Sequence, residues 1–199
     1  DDIEYLMDKM QRLQELLLNK EVVSLRVVTT PEKIVINEAK RNFTCLYLYH
    51  YNVDAIMINH IYPAKAMEGY FNKWIKRQEE GLQEIKESFS EVPCFYVELQ
   101  QQELRTLDIL EKVGDAIFAE IDPDEVLFKK EIYSINNEER WLKIYLPFAE
   151  KEELRLEQDK NELVVGVRNE SRKFPIPIEF AEKEIVGARF EDGYLYIQF

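Results

Sequence analysis

Apolar residues recur along this chain at two different periods, and the period changes near residue 120. Ile3, Leu6, Met7, Met10, Leu13 and Leu17 follow helical spacing, so residues 2–19 read as an amphipathic helix. Val22 to Thr29 is rich in β-branched residues and predicts a buried strand, closed by Thr30-Pro31-Glu32. Ile36, Ala39, Phe43, Leu46 and Tyr47 share one face of a second helix. Residues 53–59 form an apolar run without alternation, which suggests a strand buried on both faces, as in a parallel sheet covered by helices. Residues 64–90 predict one long helix striped with Met67, Tyr70, Phe71, Trp74, Ile75, Leu82, Ile85 and Phe89. Such a stripe is either core or a groove for a partner. Val92 to Leu99 reads as a third strand, and Leu104, Leu107, Leu110, Val113 and Ile117 place a last helix at about 103–119. Strands alternating with helices in this way predict a parallel sheet with crossover helices.

Asp122-Pro123-Asp124 marks a boundary, and beyond it the alternation is twofold. Leu142-Ile144-Leu146, Leu163-Val165-Val167 and Leu195-Ile197 opposite Tyr194-Tyr196 predict short strands. They are separated by polar turns, of which Asp192-Gly193 is a strong hairpin signal. The expected fold is therefore α/β followed by all-β, with an α/β domain over residues 1–122 and a small β-sandwich over residues 123–199.

Composition narrows the chemistry. A net charge of −13 argues against nonspecific binding to nucleic acid or to an anionic membrane surface. No apolar run approaches the ~20 residues of a membrane span. Cys45 and Cys94 sit alone in apolar settings and read as reduced thiols of a cytoplasmic protein. The chain begins Asp1-Asp2 without a Met and is expected to be a piece of something longer.

Glycines at 69, 81, 114, 166, 187 and 193 cannot spell a phosphate-binding loop of either common type. His50 and His60 lack Cys or carboxylate companions at metal-ligand spacing, so no metal residue is assigned. The serines at 24, 88, 90, 134 and 171 show no partner base, and among 39 acidic residues chance carboxylate pairs are common, so no catalytic residue is assigned. One position stands out. The apolar strand ends abruptly at Asn59-His60, and ligands of open α/β sheets bind just beyond the carboxyl ends of strands. An Asn there either caps or turns the chain, or donates to and accepts from the edge of a base.

Two runs resemble known families. Ser24-Leu25-Arg26-Val27-Val28-Thr29-Thr30-Pro31-Glu32, then Glu38 and Arg41, then Asp54-Ala55-Ile56-Met57-Ile58-Asn59, resemble the second half of the anion-transporting ATPases. That family includes the arsenite-pump ATPase and the ATPase that targets tail-anchored membrane proteins. The order continues through Val97-Glu98-Leu99 and Leu107-Asp108-Ile109-Leu110. The resemblance implies that Asn59 contacts the adenine of ATP and that Glu98 and Leu99, standing where the family usually has Pro-Leu, line the base pocket. It also implies a partner half: the P-loop, the switch Asp and the Mg²⁺ ligands belong to the family's N-terminal half. A nucleotide-dependent homodimer and a protein client follow from the same resemblance. The family's paired CxxC cysteines and arsenite-binding cysteine cluster have no counterpart in this sequence.

Ala188-Arg189-Phe190-Glu191-Asp192-Gly193-Tyr194-Leu195 is similar to the A-x-x-x-(N/D)-G-x-L signature of the small heat-shock (α-crystallin) domain. Phe174-Pro175-Ile176-Pro177-Ile178 resembles the proline-containing strand before it. The combined expectation is the C-terminal part of an ATPase that supplies the adenine side of an ATP site and ends in a chaperone-like domain, inactive in hydrolysis on its own. The competing expectation is a stand-alone interaction module without nucleotide binding.

Overall fold

The computed structural model describes residues 2–67, 69, 71–181 and 183–199. The chain divides into two compact units, Asp1–Ala39 with Val53–Lys129, and Lys40–Asn52 with Lys130–Phe199.

The first unit is built on a three-stranded parallel sheet in the order β1 (Leu25–Thr29), β2 (Val53–Ile61), β3 (Cys94–Glu98). β2 is the central strand, and Val53, Ala55, Ile56 and Ile58 are fully buried, as a strand covered on both faces requires. Helices α1 (Asp2–Leu18), α2 (Lys33–Leu48), α3 (Ala64–Met67), α4 (Asn72–Ser88) and α5 (Leu107–Phe118) alternate with the strands. Consecutive parallel neighbours joined by right-handed crossovers put the helices after β1 and β2 on one sheet face. α5 packs on the other, through Phe118 against Phe95 at 5.2 Å.

Three expectations change. The long helix over 64–90 is two helices: α3 ends at Met67, and Gly69, at φ 85°, turns the chain before α4 begins at Asn72. Of its stripe, Met67, Ile85 and Phe89 are buried, whereas Phe71 and Trp74 are about half exposed, and Tyr70 lies outside the described residues. β1 starts at Leu25 and lies at one edge of the sheet among the described residues, and Val28, in register with Met57, is exposed there. Helix α1 has the expected span, but its apolar residues are all exposed or half-exposed.

The second unit is a sandwich of two antiparallel sheets, β4-β5-β10-β9 and β6-β7-β8. These strands are β4 (Tyr133–Asn136), β5 (Trp141–Tyr145), β6 (Leu154–Asp159), β7 (Glu162–Val167), β8 (Glu170–Pro175), β9 (Gly187–Glu191) and β10 (Tyr194–Gln198). Inward positions alternate as the period of two demands: Leu142, Ile144, Leu163, Val165, Leu195 and Ile197 are buried, with Phe174, Phe180 and Phe199 closing the core. Asp192 and Gly193 take φ of 49° and 75°, the left-handed pair that a two-residue hairpin turn needs between β9 and β10.

Candidate nucleotide-base site

Parallel strands deliver their carboxyl ends to one edge of the sheet, and in the first unit β2 ends there irregularly. Ile58 pairs with Tyr96, and the next pairing is Ile61 with Glu98, so Asn59 and His60 form a bulge. His60 sits at φ 57°, a conformation that L-residues reach with some strain. The Asn59 Oδ1 accepts the His60 backbone N–H at 2.8 Å, which holds the amide in the bulge and leaves its Nδ2 as the group suited to donate outward. On the neighbouring strand, the Leu99 N–H donates to the Ile61 carbonyl at 2.8 Å, and Gln100 Nε2 donates to the Glu98 carbonyl at 2.9 Å.

The three sequence-assigned residues thus lie at adjoining strand ends. Met57 pairs with Phe95 and Ile58 with Tyr96, so Asn59 follows the last regular pair of β2, while Glu98 ends β3 and Leu99 follows it. Glu98 and Leu99 are both exposed, and Asn59 is half-buried. Beneath them, burial pushes the Cys94 thiol up from its ordinary value and holds it protonated, as suits a packing residue.

An open pocket of about 580 Å³ lies beside this edge, around the start of α2, the end of β2 and one side of α4. Pro31, Lys33 and Ile34, then His60 and Tyr62, then Trp74, Arg77 and Gln78 are among its lining residues. Asn59, Glu98 and Leu99 are not. Gln78 fixes its wall by bonding the Tyr62 backbone twice, accepting from the N–H at 2.8 Å and donating to the carbonyl at 3.1 Å. Gly81 lets α4 approach the segment after β1: a Cβ there would stand 2.0 Å from the Pro31 carbonyl oxygen. Sequence reading missed Tyr62, Gln78 and Gly81; the glycine inside a helical stripe was the one available signal.

The sandwich carries a second recess, of about 440 Å³, on the outer face of the β4-β5-β10-β9 sheet, with Trp141, Arg189 and Tyr196 among its walls. Trp141 Nε1 donates to Glu139 at 2.5 Å, and the Arg189 guanidinium lies 4.7 Å from the Tyr196 ring centre. Among the described residues, no group of three or more His, Cys, Asp or Glu is placed to hold a metal ion. Nor, among them, is any helix long and apolar enough to cross a membrane.

Comparison with known proteins identifies the family. Residues 1–119 match the family described as anion-transporting ATPase, and residues 137–199 match an HSP20-like domain found in ArsA. A protein of Aquifex aeolicus (strain VF5), provisionally named arsenical pump-driving ATPase 1, is 31% identical over 84% of this chain and 44% of its own length. Two more, from Prosthecochloris vibrioformis and Chlorobaculum tepidum (strain ATCC 49652 / DSM 12025 / NBRC 103806 / TLS), are provisionally named arsenical pump-driving ATPase. Each is 26% identical over the whole chain and 50% of its own length. The chain therefore spans about half the length of the relatives it matches. With a family match over well more than half of its residues, the chain belongs to the anion-transporting ATPase family and ends in an HSP20-like domain.

Proposed function

We propose that this chain supplies the base-recognition side of an ATP site in a longer ATPase, and that its HSP20-like sandwich is a protein-interaction domain. The observation that carries this reading is the position of Asn59 and Leu99: an amide held by its own oxygen and an apolar residue lie at the carboxyl ends of adjoining parallel strands. A purine fits that pair. The Nδ2 of Asn59 donates to a ring nitrogen, and Leu99 lies against the base. Glu98 takes part through its backbone, so glutamate in place of the family's proline is compatible with base binding.

The same residues do not fit the rest of the nucleotide. The sequence has no Gly-rich phosphate loop, and the described residues offer no cluster for Mg²⁺. Phosphates, Mg²⁺ and the attacking water belong, in this reading, to an N-terminal P-loop half, with nucleotide state shifting a homodimer between conformations. The domain division at residues 1–122 and 123–199, cytoplasmic residence, an arsenical or other anion as the transported species, and a protein client are part of the same proposal.

Titration of the ¹⁵N-labelled chain with adenosine and with ATP, followed by NMR, tests the base site. Saturable shifts are expected at the Asn59 side-chain amide and at the Leu99 backbone N–H, lost in Leu99→Asp and retained in Glu98→Ala. Unmoved Asn59 and Leu99 signals at millimolar nucleoside would leave the interaction-module reading, which the half-exposed Trp74 and Phe71 also favour.

A further inference from the structure

The last turns of α2 and the residues after them, 40–52, belong to the sandwich unit although residues 53–132 separate them from its first strand. Phe43, Tyr47 and Leu48 are 3%, 1% and 0% exposed. Phe43 meets Phe148 edge-on at 6.0 Å, Tyr47 lies 5.8 Å from Tyr145, and Leu48 enters the core formed by both sheets.

Polar groups read the helix as well. The Thr44 hydroxyl donates to the Pro147 carbonyl. Arg172 Nη1 donates to the Leu48 carbonyl at 3.1 Å, satisfying a carbonyl of the helix's last turn, where a cation is favoured. Tyr49 donates its hydroxyl to Glu170 at 2.9 Å. These contacts recognise both an apolar stripe and a helix terminus, which is how grooves select amphipathic helices.

We propose that the sandwich is a receptor for an amphipathic α-helix, with residues 40–52 of its own chain as the resident occupant. The partner it fits is a helix carrying the pattern Phe-Thr-x-x-Tyr-Leu seen at residues 43–48. A tethered occupant acts at an effective concentration on the order of millimolar, so a free helix at micromolar concentration enters only when the resident is loosened. The sandwich's interaction site is thus closed by its own chain until α2 releases it.

The test uses the full chain and a fluorescein-labelled peptide of residues 38–52, read by anisotropy. Wild-type chain is expected to bind the peptide at least about 100-fold more weakly than the doubly loosened chain Phe43→Ala, Tyr47→Ala. The peptide should also raise the loosened chain's melting temperature in a concentration-dependent way, and a peptide with Tyr47→Ala should do neither. Equal binding by wild type and variant would overturn the proposal. So would a variant whose β5 and β10 amides stay protected while it fails to bind. If the loosened variant loses that protection, recovery on adding peptide supports the proposal and failure to recover overturns it. Arg172→Ala, which removes only the terminal hydrogen bond, should give a smaller loosening with the same ordering.

Discussion

Asp54 is fully buried at the start of β2, in the middle of an otherwise apolar run. Its two oxygens are used separately: Oδ1 faces Arg26 Nε at 3.4 Å, and Oδ2 accepts the Leu127 N–H at 3.1 Å. Arg26 goes on to donate to the Pro123 carbonyl at 2.7 Å, so one carboxylate ties the segment after α5 to two strands. Removing one member of such a group leaves the others desolvated and unpaired. Asp54→Ala is expected to destabilise the first unit by about 2–4 kcal/mol, measured by urea unfolding with a probe in that unit. Tyr133 gives a second residue-scale prediction. Burial, with Glu179 adding to it, pushes its pKa up to about 12 from an unfolded value of 10. The folded sandwich therefore holds its proton where the unfolded chain has lost it. The stabilisation is complete below pH 10 and is lost as pH rises towards 12, and Tyr133→Phe should flatten that part of the stability curve. Neither residue was legible beforehand. Sequence shows that Asp54 interrupts an apolar run, but its partners lie 28 and 73 residues away.

At the scale of elements, periodicity carries the reading only where a helix or strand has one buried face. Local alternation located the inward rows of the sandwich, whereas the Asp-Gly pair marked the hairpin at Asp192-Gly193 and an unbroken apolar run marked β2, which is buried on both faces. The stripe over residues 64–90 kept helical spacing across the break between two helices, since Met67 and Phe71 are four apart in sequence whether or not one helix joins them. The bulge at Asn59-His60 was equally hidden. It depends on the register with β3, which sequence alone does not supply. Asn59 itself was identifiable because a polar residue closing an apolar strand is a local signal. Gly81 shows what propensity misses. Alanine is the better helix former by about 1 kcal/mol, yet its Cβ would meet the backbone of Pro31 rather than a yielding side chain. Gly81→Ala is expected to cost about 1–3 kcal/mol net and to disturb the wall formed by Gln78 and Tyr62. Chemical-shift changes at the Tyr62 amide together with a lowered melting temperature would verify it. A rise in melting temperature would mean that α4 can move away from Pro31 at no cost.

Across the whole chain, the burial is uneven. The sandwich has a closed core, whereas the first unit leaves Ile3, Leu6, Met7, Met10 and Leu13 of α1 between 56% and 68% exposed. Leu107 and Leu110 of α5 are exposed too, and β1 and β3 are both edge strands. Clusters of this kind exceed what scattered surface apolar residues account for, and open edges of a parallel sheet add unpaired backbone groups. A net charge of −13 opposes association through long-range repulsion, but salt screens that repulsion, with a Debye length of about 10 Å at 0.1 M. Apolar contact is not weakened by the same salt. Self-association should therefore increase with ionic strength, the opposite of what charge-driven pairing would do. Light scattering of the chain at low and at high salt distinguishes the two. A triple variant with Leu6, Met10 and Leu13 replaced by Glu should remain smaller at every salt concentration, while its melting temperature stays close to that of the parent because α1 buries none of its residues. A monodisperse monomer in both salts would show that the α1 stripe is too narrow to hold a second surface.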